Sequence, residues 1–502
     1  MIAKGRRFVA VSNRLPIVVS RDAAGDLTVR SGSGGLVTAL APVLSNRGGI
    51  WVGWPGMERT PDLDSKLQEA SRGAGYVLRP VHVDAAEAEL FYNGFANGII
   101  WPLFHDMPSL CSFVPEAWHA YQRANKRFAA VVADCCTKTD HIWVHDYHLM
   151  RVAQEVRALG VTTRLGFFLH IPFPPLDIFL RLPWRAEVLR SLLAYDLVGF
   201  QTLRDRRNFL YCVRRLLPEW RVHGKGSVVT AYFEDREVRV GTFPISIDYA
   251  EFEGRARTSG VEKAAAKLRG QLGERTIVLG VDRLDYSKGI PEKLEAFRRA
   301  LRRHPELRGT TTLVQIAVPS RQDVPEYREL RARIDQLVGE INGEFTKAGW
   351  APIHYLYQSL DRDALLAYYR AGDVCLLTPL KDGMNLVAKE YCACRVDRRG
   401  SLILSEFAGA AAQMHRWALT VNPHDVDGVA DAIHRACSMP PGEQENRMRH
   451  LRRIVRTNDI YRWVDEFLEA AACMNLEDFP FQEDYIPPME PHAPADRTVQ
   501  ET

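Results

Sequence analysis

The chain has 502 residues, of which 46% are hydrophobic and 25% charged, which excludes a disordered or fibrous protein and, at this length, a single ordinary core. A net charge of only +3 excludes the global excess that nucleic acid or an anionic membrane would select, so any anionic ligand must be met by locally placed basic side chains. Nine scattered cysteines without paired CxxC motifs, no signal peptide at the start, and no apolar run near the ~18 residues that span a bilayer predict a soluble, cytoplasmic protein with reduced thiols.

Short apolar runs rich in β-branched residues alternate with amphipathic helical stretches, the pattern of parallel sheets covered on both faces. The first predicted strand is Phe8–Val11, and it runs into Ser12-Asn13-Arg14, where an arginine at a strand's carboxyl end suits a phosphate. Next comes Ser31–Leu36, with Gly34 and Gly35 ahead of a helix over Val37–Leu44. Glycines in that position let backbone N–H groups approach an anion at the positive end of the helix dipole. Tyr92 and Trp101 belong to an aromatic- and glycine-rich segment whose rings suit either a sugar face or a packed core. The strand Ile142–His145 ends in His145-Asp146-Tyr147-His148. Strand alternation sends His145 and Tyr147 one way and Asp146 and His148 the other, so Asp146 is expected to accept from substrate hydroxyls rather than to share a metal. Arg164–His170, with His170 at its carboxyl end, and Leu197–Gln201 are the remaining strands of this half.

Ile245–Gly273 holds no strand candidate, which places a domain boundary near Ile247–Glu251, with one domain over 1–248 and a second over 249–483. A new series begins at Thr276–Val281. The loop after it brings Arg283 and Lys288 together beside a helix opened by Gly289-Ile-Pro291, a site for a diphosphate whose departure two cations would favour. Thr312–Val318 leads to Arg321, and Leu360 precedes Asp361, the predicted cap of a helix that Gly372 closes. After Val374–Thr378 the chain passes through Asp382-Gly383-Met384-Asn385-Leu386 into a helix. The N–H groups of Met384 to Leu386 are expected to bond phosphate oxygens, Asp382 to accept from sugar hydroxyls, and Glu390, one turn on, from a ribose. Leu402–Ser405 is another strand, Ile460–Cys473 an amphipathic helix able to cross back to the first domain, and 484–502 a proline-rich tail expected to be disordered. Two doubly wound domains are expected to face a cleft at the carboxyl ends of both sheets.

The motifs Ser12-Asn13-Arg14, Phe167-Phe-Leu-His170-Ile-Pro-Phe-Pro, Tyr195-Asp-Leu-Val-Gly-Phe-Gln-Thr202, Arg283-Leu-Asp-Tyr-Ser-Lys288-Gly and Asp382-Gly-Met-Asn-Leu-Val-Ala-Lys-Glu390 resemble those of the α,α-trehalose-phosphate synthase family, from about Phe8 to about Phe467. The resemblance implies a retaining glycosyltransferase with two Rossmann-like domains (GT-B), the first binding the acceptor and the second the donor. It implies transfer of glucose from UDP-, ADP- or GDP-glucose to glucose 6-phosphate, giving trehalose 6-phosphate. By motif position it makes Arg14, Tyr92 and Arg321 binders of the acceptor phosphate, and Trp101 and Asp146 acceptor-sugar contacts. Gly34, Gly35, Leu360, Gly383, Met384, Asn385, Leu386 and Glu390 fall on the donor. Arg283 and Lys288 look like the diphosphate-holding pair, and His170 and Asp382 like contacts to the transferred glucose, so these four are the catalytic candidates. No metal and no cofactor are implied, nor nucleic acid or membrane partners, and a homo-oligomer is compatible with the chain.

The family often has an aromatic where Leu360 stands, so the donor base stays open. Two other readings compete: a related transferase with an acceptor such as glycerol 3-phosphate, and a catalytically silent sugar-phosphate sensor. The second predicts lost charges at the donor loops, whereas Arg283, Lys288, Asp382 and Glu390 are all present.

Overall fold

A computed structural model describes residues 7–21, 26–32, 35–322, 324–472, 479 and 485–487. Gly34 and all of the expected tail except 485–487 lie outside the described residues. The chain divides into two compact units, Met1–Asp248 with Thr457–Glu483, and Tyr249–Arg456 with Asp484–Thr502. Among the described residues no helix is long and apolar enough to cross a membrane.

The first unit is built on a nine-stranded sheet in the order Val77–Pro80, Gly49–Trp54, Phe8–Arg14, His141–His145, Leu165–Phe168, Leu197–Phe200, Arg236–Thr242, Val228–Phe233 and Arg221–His223. The strands from Val77–Pro80 to Arg236–Thr242 pair in parallel and the last two join antiparallel. Phe8–Arg14 is buried at every position but its last, as a strand covered on both faces must be. The chain order of the strands reverses beside it: its neighbours are Gly49–Trp54 on one side and His141–His145 on the other. In an open α/β sheet that reversal opens a crevice at the carboxyl ends. Short edge strands such as Val77–Pro80 and the hairpin Ile17–Arg21/Leu27–Ser31 carry too few apolar residues to stand out in the sequence.

The helix Ile460–Ala472 belongs to this first unit and covers one face of its sheet. Phe467 stacks on Trp143 at 4.0 Å, and the Trp463 indole N–H donates to the Phe243 carbonyl at 3.0 Å. Gly166 and Gly199 make room for it: a Cβ at either would come within 2.8 Å of the Phe467 ring. Glycine in these central strands thus marks a close approach, not a bend.

The second unit has a six-stranded, wholly parallel sheet in the order Ile353–Tyr357, Thr311–Val318, Thr276–Arg283, Val374–Leu377, Ser401–Ser405 and Leu419–Val421. Here the reversal lies between Thr276–Arg283 and Val374–Leu377. The helix Ile290–Arg303 is tied to the first of these strands by the buried ion pair of Lys293 Nζ with Asp282 Oδ2 at 2.5 Å, which Gln315 supports at 2.9 Å. That clamp fixes both ends of the loop between strand and helix. As expected from the sequence, Asp361 accepts from the Ala364 N–H at 2.8 Å and starts the helix Arg362–Ala371.

Candidate active site

In the second unit the two loops that leave the strand-order reversal touch one another. Gly289 takes a left-handed φ of 61°, and a side chain there would overlap the Thr378 carbonyl, so only glycine lets these loops close up. The Leu380 N–H donates to the Ser287 carbonyl at 2.8 Å. The result is the pairing of Lys288 Nζ with Asp382 Oδ2 at 2.7 Å, with both side chains largely removed from solvent. Asp285 lies below them. It accepts from the backbone N–H and hydroxyl of Ser287 at 3.0 and 2.8 Å and from the Tyr327 hydroxyl at 2.8 Å. Burial alone would raise its pKa, but Arg321, Arg283 and Lys288 outweigh burial and hold its carboxyl below the usual carboxylate range.

Asp285 therefore gathers three cations of this unit's loops. Arg321 has a φ of 44°, lies 3.6 Å from Asp285 and contacts the Tyr327 hydroxyl, so it sits in the same cluster as Arg283 and Lys288. The importance of Asp285 was not recognised from the sequence. Its signal was present in Asp285-Tyr-Ser-Lys288, since an aspartate two residues before a serine caps a turn by accepting that N–H.

Around Asp382 one expectation is corrected. The Met384 N–H donates to Asp382 Oδ1 at 3.3 Å, and the Asn385 amide donates to Asp382 Oδ2 at 3.3 Å, so Met384 spends its N–H inside the loop. Met384 itself is buried, and Gly383 leads into it. Asn385, at φ 72°, caps the helix Leu386–Cys394 by accepting from the Ala388 N–H at 3.3 Å. The backbone N–H groups of Asn385 and Leu386 lie at the positive helix end. Glu390 is placed one turn on and accepts from the Tyr369 hydroxyl at 2.7 Å, and burial raises its pKa. Leu360 is half-buried between the strand Ile353–Tyr357 and the capping Asp361.

The first unit presents a second group at its own reversal. Arg14 ends the central strand and lays its guanidinium over Trp54 at 4.6 Å. The ring of Tyr92 meets Trp54 edge-on at 6.5 Å and stacks on His148 at 5.6 Å. Tyr92 comes from Glu89–Ile100, a wide helix in which each N–H reaches five residues back, as the Trp101 N–H does to the Ala96 carbonyl. Trp101 is only 5% exposed, with His105 at 4.2 Å and Tyr147 at 5.8 Å, so the open sugar-stacking face allowed by the sequence is largely covered. Gly35 starts the helix Gly35–Arg47.

Alternation fails after His145. Asp146 has a φ of 77°, which ends the strand and turns Tyr147 and His148 inward together, their rings 3.9 Å apart. The Asp146 carboxylate accepts from the backbone N–H of His170 at 3.3 Å. The His170 and His145 rings are joined through Nε2 and Nδ1 at 3.2 Å. Burial pushes His170 down to about 3 and His145 well below its ordinary value, with His170 adding to the effect on His145, so both imidazoles are neutral. Trp463 stands 6.2 Å from His170 and 6.3 Å from His145. This partnership joins residues far apart in the chain, and no spacing in the sequence signals it. One metal-type group among the described residues, His304, Glu306 and His434, includes none of these side chains.

Two Rossmann-like domains, each with polar and cationic side chains gathered at the reversal of strand order, define a glycosyltransferase of the GT-B class. The glycosyltransferase family 20 model matches residues 6–472, and the chain belongs to that family. The trehalose-6-phosphate synthase of Mycolicibacterium gilvum is 45% identical over 473 residues, covering 93% of each chain. An α,α-trehalose-phosphate synthase (UDP-forming) from Burkholderia xenovorans, solved with glucose-6-phosphate, superimposes with a TM-score of 0.82 at 34% identity, covering 93% of this chain and 99% of that one. An E. coli structure bound with UDP-2-fluoro glucose gives a TM-score of 0.82 at 36% identity, with the same coverages of 93% and 99%.

Proposed function

We propose that this glycosyltransferase moves glucose from a nucleotide-glucose to glucose 6-phosphate with retention at the anomeric carbon, forming α,α-trehalose 6-phosphate. The observation that carries the reading is the Lys288–Asp382 pair at the strand-order reversal, beside the N-terminus of the helix Leu386–Cys394. A cation and a helix end converge there, which is what a departing diphosphate requires. The ligands of the two solved relatives, glucose-6-phosphate and UDP-2-fluoro glucose, support the same substrate pair.

In this reading Arg283, Lys288 and the amides of Asn385 and Leu386 take the diphosphate, Glu390 the ribose and Leu360 the base, with Gly34 and Gly35 near the donor phosphates. Asp382 and His170 hold the transferred glucose. Asp382, paired with Lys288, accepts from a hydroxyl, and the neutral His170 directs its proton without adding charge. Arg14, Tyr92 and Arg321 hold the acceptor phosphate, and Asp146 and an edge of Trp101 its sugar. The bond from the anomeric carbon to the phosphate oxygen breaks with its electron pair passing to the nucleoside diphosphate. The acceptor hydroxyl attacks from the same face, and the departing oxygen takes its proton. The protein acts in the cytoplasm and needs no membrane or nucleic-acid partner.

A coupled assay of nucleotide release, run with UDP-, ADP- and GDP-glucose, tests the reading. Release should depend on glucose 6-phosphate and yield a non-reducing disaccharide phosphate. Release that is indifferent to glucose 6-phosphate, or that responds instead to glycerol 3-phosphate, would overturn it.

A further inference from the structure

The second unit carries a basic cavity that the reaction does not use. It has a volume of about 590 Å³ and is lined in part by Arg257, Arg398, Arg449, Arg452, Arg453 and Arg456. That volume is in the range of small-molecule sites. The opposing acids are few. Glu253, also in the lining, accepts from Arg257 at 3.0 Å and from Arg452 at 2.6 Å. Glu445 stands 4.0 Å from Arg398 and 3.7 Å from Arg449.

The six arginines do different work. Arg452 is the buried floor: it donates to the Cys392 and Ala393 carbonyls at 3.0 and 2.6 Å and to the Tyr249 hydroxyl at 2.7 Å. Its fork is committed to the fold. Arg453 and Arg456 are exposed, and neither has an acidic partner among the described residues. Arg449, Arg453 and Arg456 lie at i, i+4 and i+7 of the helix Pro441–Thr457, so they form a single stripe of like charge. Such a stripe works against the helix. Glu445 offsets only the first of the three, at 3.7 Å from Arg449, whereas elsewhere on the same helix the spacing is used for pairing, as in Glu443 with Arg447 at 2.7 Å.

We propose that this cavity is a second anion site, separate from the catalytic residues, that binds a small oligophosphate. Several guanidinium groups spread around one concavity match a chain of phosphates better than a single phosphate, because each fork can engage a different group of oxygens. Besides its charged side chains the lining offers only Val396, the edge of buried Tyr249 and His450, whose ring is already stacked on Trp417 at 3.7 Å, so the ligand is recognised by its charge and not by a base or ring.

The test is isothermal titration of the full chain with inorganic tripolyphosphate, compared with Arg453→Ala/Arg456→Ala. A second variant, Arg190→Ala/Arg214→Ala, removes the same charge from exposed positions of the first unit. The cavity variant should lose at least about tenfold in affinity for one class of sites, and the control should keep it. Without ligand the cavity variant should melt no lower than the wild type, since two repelling cations are gone, and that melt shows the fold intact. Orthophosphate should bind the wild type far more weakly than tripolyphosphate. Identical isotherms for the wild type and the cavity variant would overturn the proposal. So would an equal loss in the control, or equal affinity for orthophosphate, because either outcome reduces the cavity to general charge attraction.

Discussion

At the scale of single residues, the charges at the second unit's loops work as a set. Lys288 and Asp382 neutralise one another at 2.7 Å, so removing either leaves a largely buried charge uncompensated. Lys288→Ala and Asp382→Ala should each lower turnover, by about 2–4 kcal/mol of barrier if this site resembles other preorganised electrostatic ones. The double variant should lose much less than the sum, and steady-state kinetics of all four proteins measure that coupling. Arg14→Ala should mainly raise the Michaelis constant for glucose 6-phosphate, because the acceptor's phosphate keeps its charge through the reaction. A residue outside the site sets a pH dependence. Lys389 is buried, bonds Gln413 at 2.8 Å, and burial brings its pKa down to about 7. Between about pH 7 and 10 the unfolded chain binds a proton that the folded chain releases, so stability rises with pH across that window. Denaturant unfolding at pH 7 and 9 should show the wild type gaining about 1–2 kcal/mol relative to Lys389→Met, which lacks this titration.

At the scale of elements, the last helix and the first unit's sheet are matched by the absence of side chains. Gly166 and Gly199 face the ring of Phe467, and a methyl group at either would need the ring to move. Gly199→Ala should therefore cost about 1–3 kcal/mol in chemical denaturation, despite alanine's better fit to an ordinary strand. Phe467→Leu in the same background should recover part of the loss by vacating the space. An unchanged midpoint for Gly199→Ala would show that the helix is free to shift. The helix Leu386–Cys394 illustrates the opposite economy: its short cap, Asn385, needs a left-handed φ, which asparagine tolerates better than most residues.

At the scale of the whole molecule, each unit repeats one device. A parallel sheet reverses its strand order, and the loops beside the reversal carry the polar side chains. Because Arg283, Lys288 and Arg321 already concentrate positive charge on the second unit's loops, activity is expected to survive extensive treatment with EDTA. Loss on chelation, restored by one particular divalent ion, would show that these side chains do not suffice.

Much of this was legible in the sequence. The strands Phe8–Arg14, Thr276–Arg283 and Val374–Leu377 were legible from the largely apolar stretches Phe8–Val11, Thr276–Val281 and Val374–Thr378, since the part of a strand that is covered on both faces favours apolar side chains. Their carboxyl ends and the loops that follow carry Arg14, Lys288 and Asp382 in motifs long enough to indicate the family. The edge strands Val77–Pro80 and Arg221–His223 escaped because three or four residues hold too little pattern to separate them from loop, and the longer interior strands Gly49–Trp54, Val228–Phe233 and Arg236–Thr242 were missed as well, the last because its charged positions break the apolar run. Contacts that depend on distant parts of the chain were decided only by the tertiary structure. His145 meets His170 because two neighbouring strands end side by side, and Trp463 joins them from a helix near the far end of the chain. Asp285 becomes the hub of three cations because a fold, not a spacing, brings Arg321 to it. Periodicity reports which face of an element is buried; it carries no record of which residue will lie opposite, since that is settled by packing among elements that sequence order does not place together.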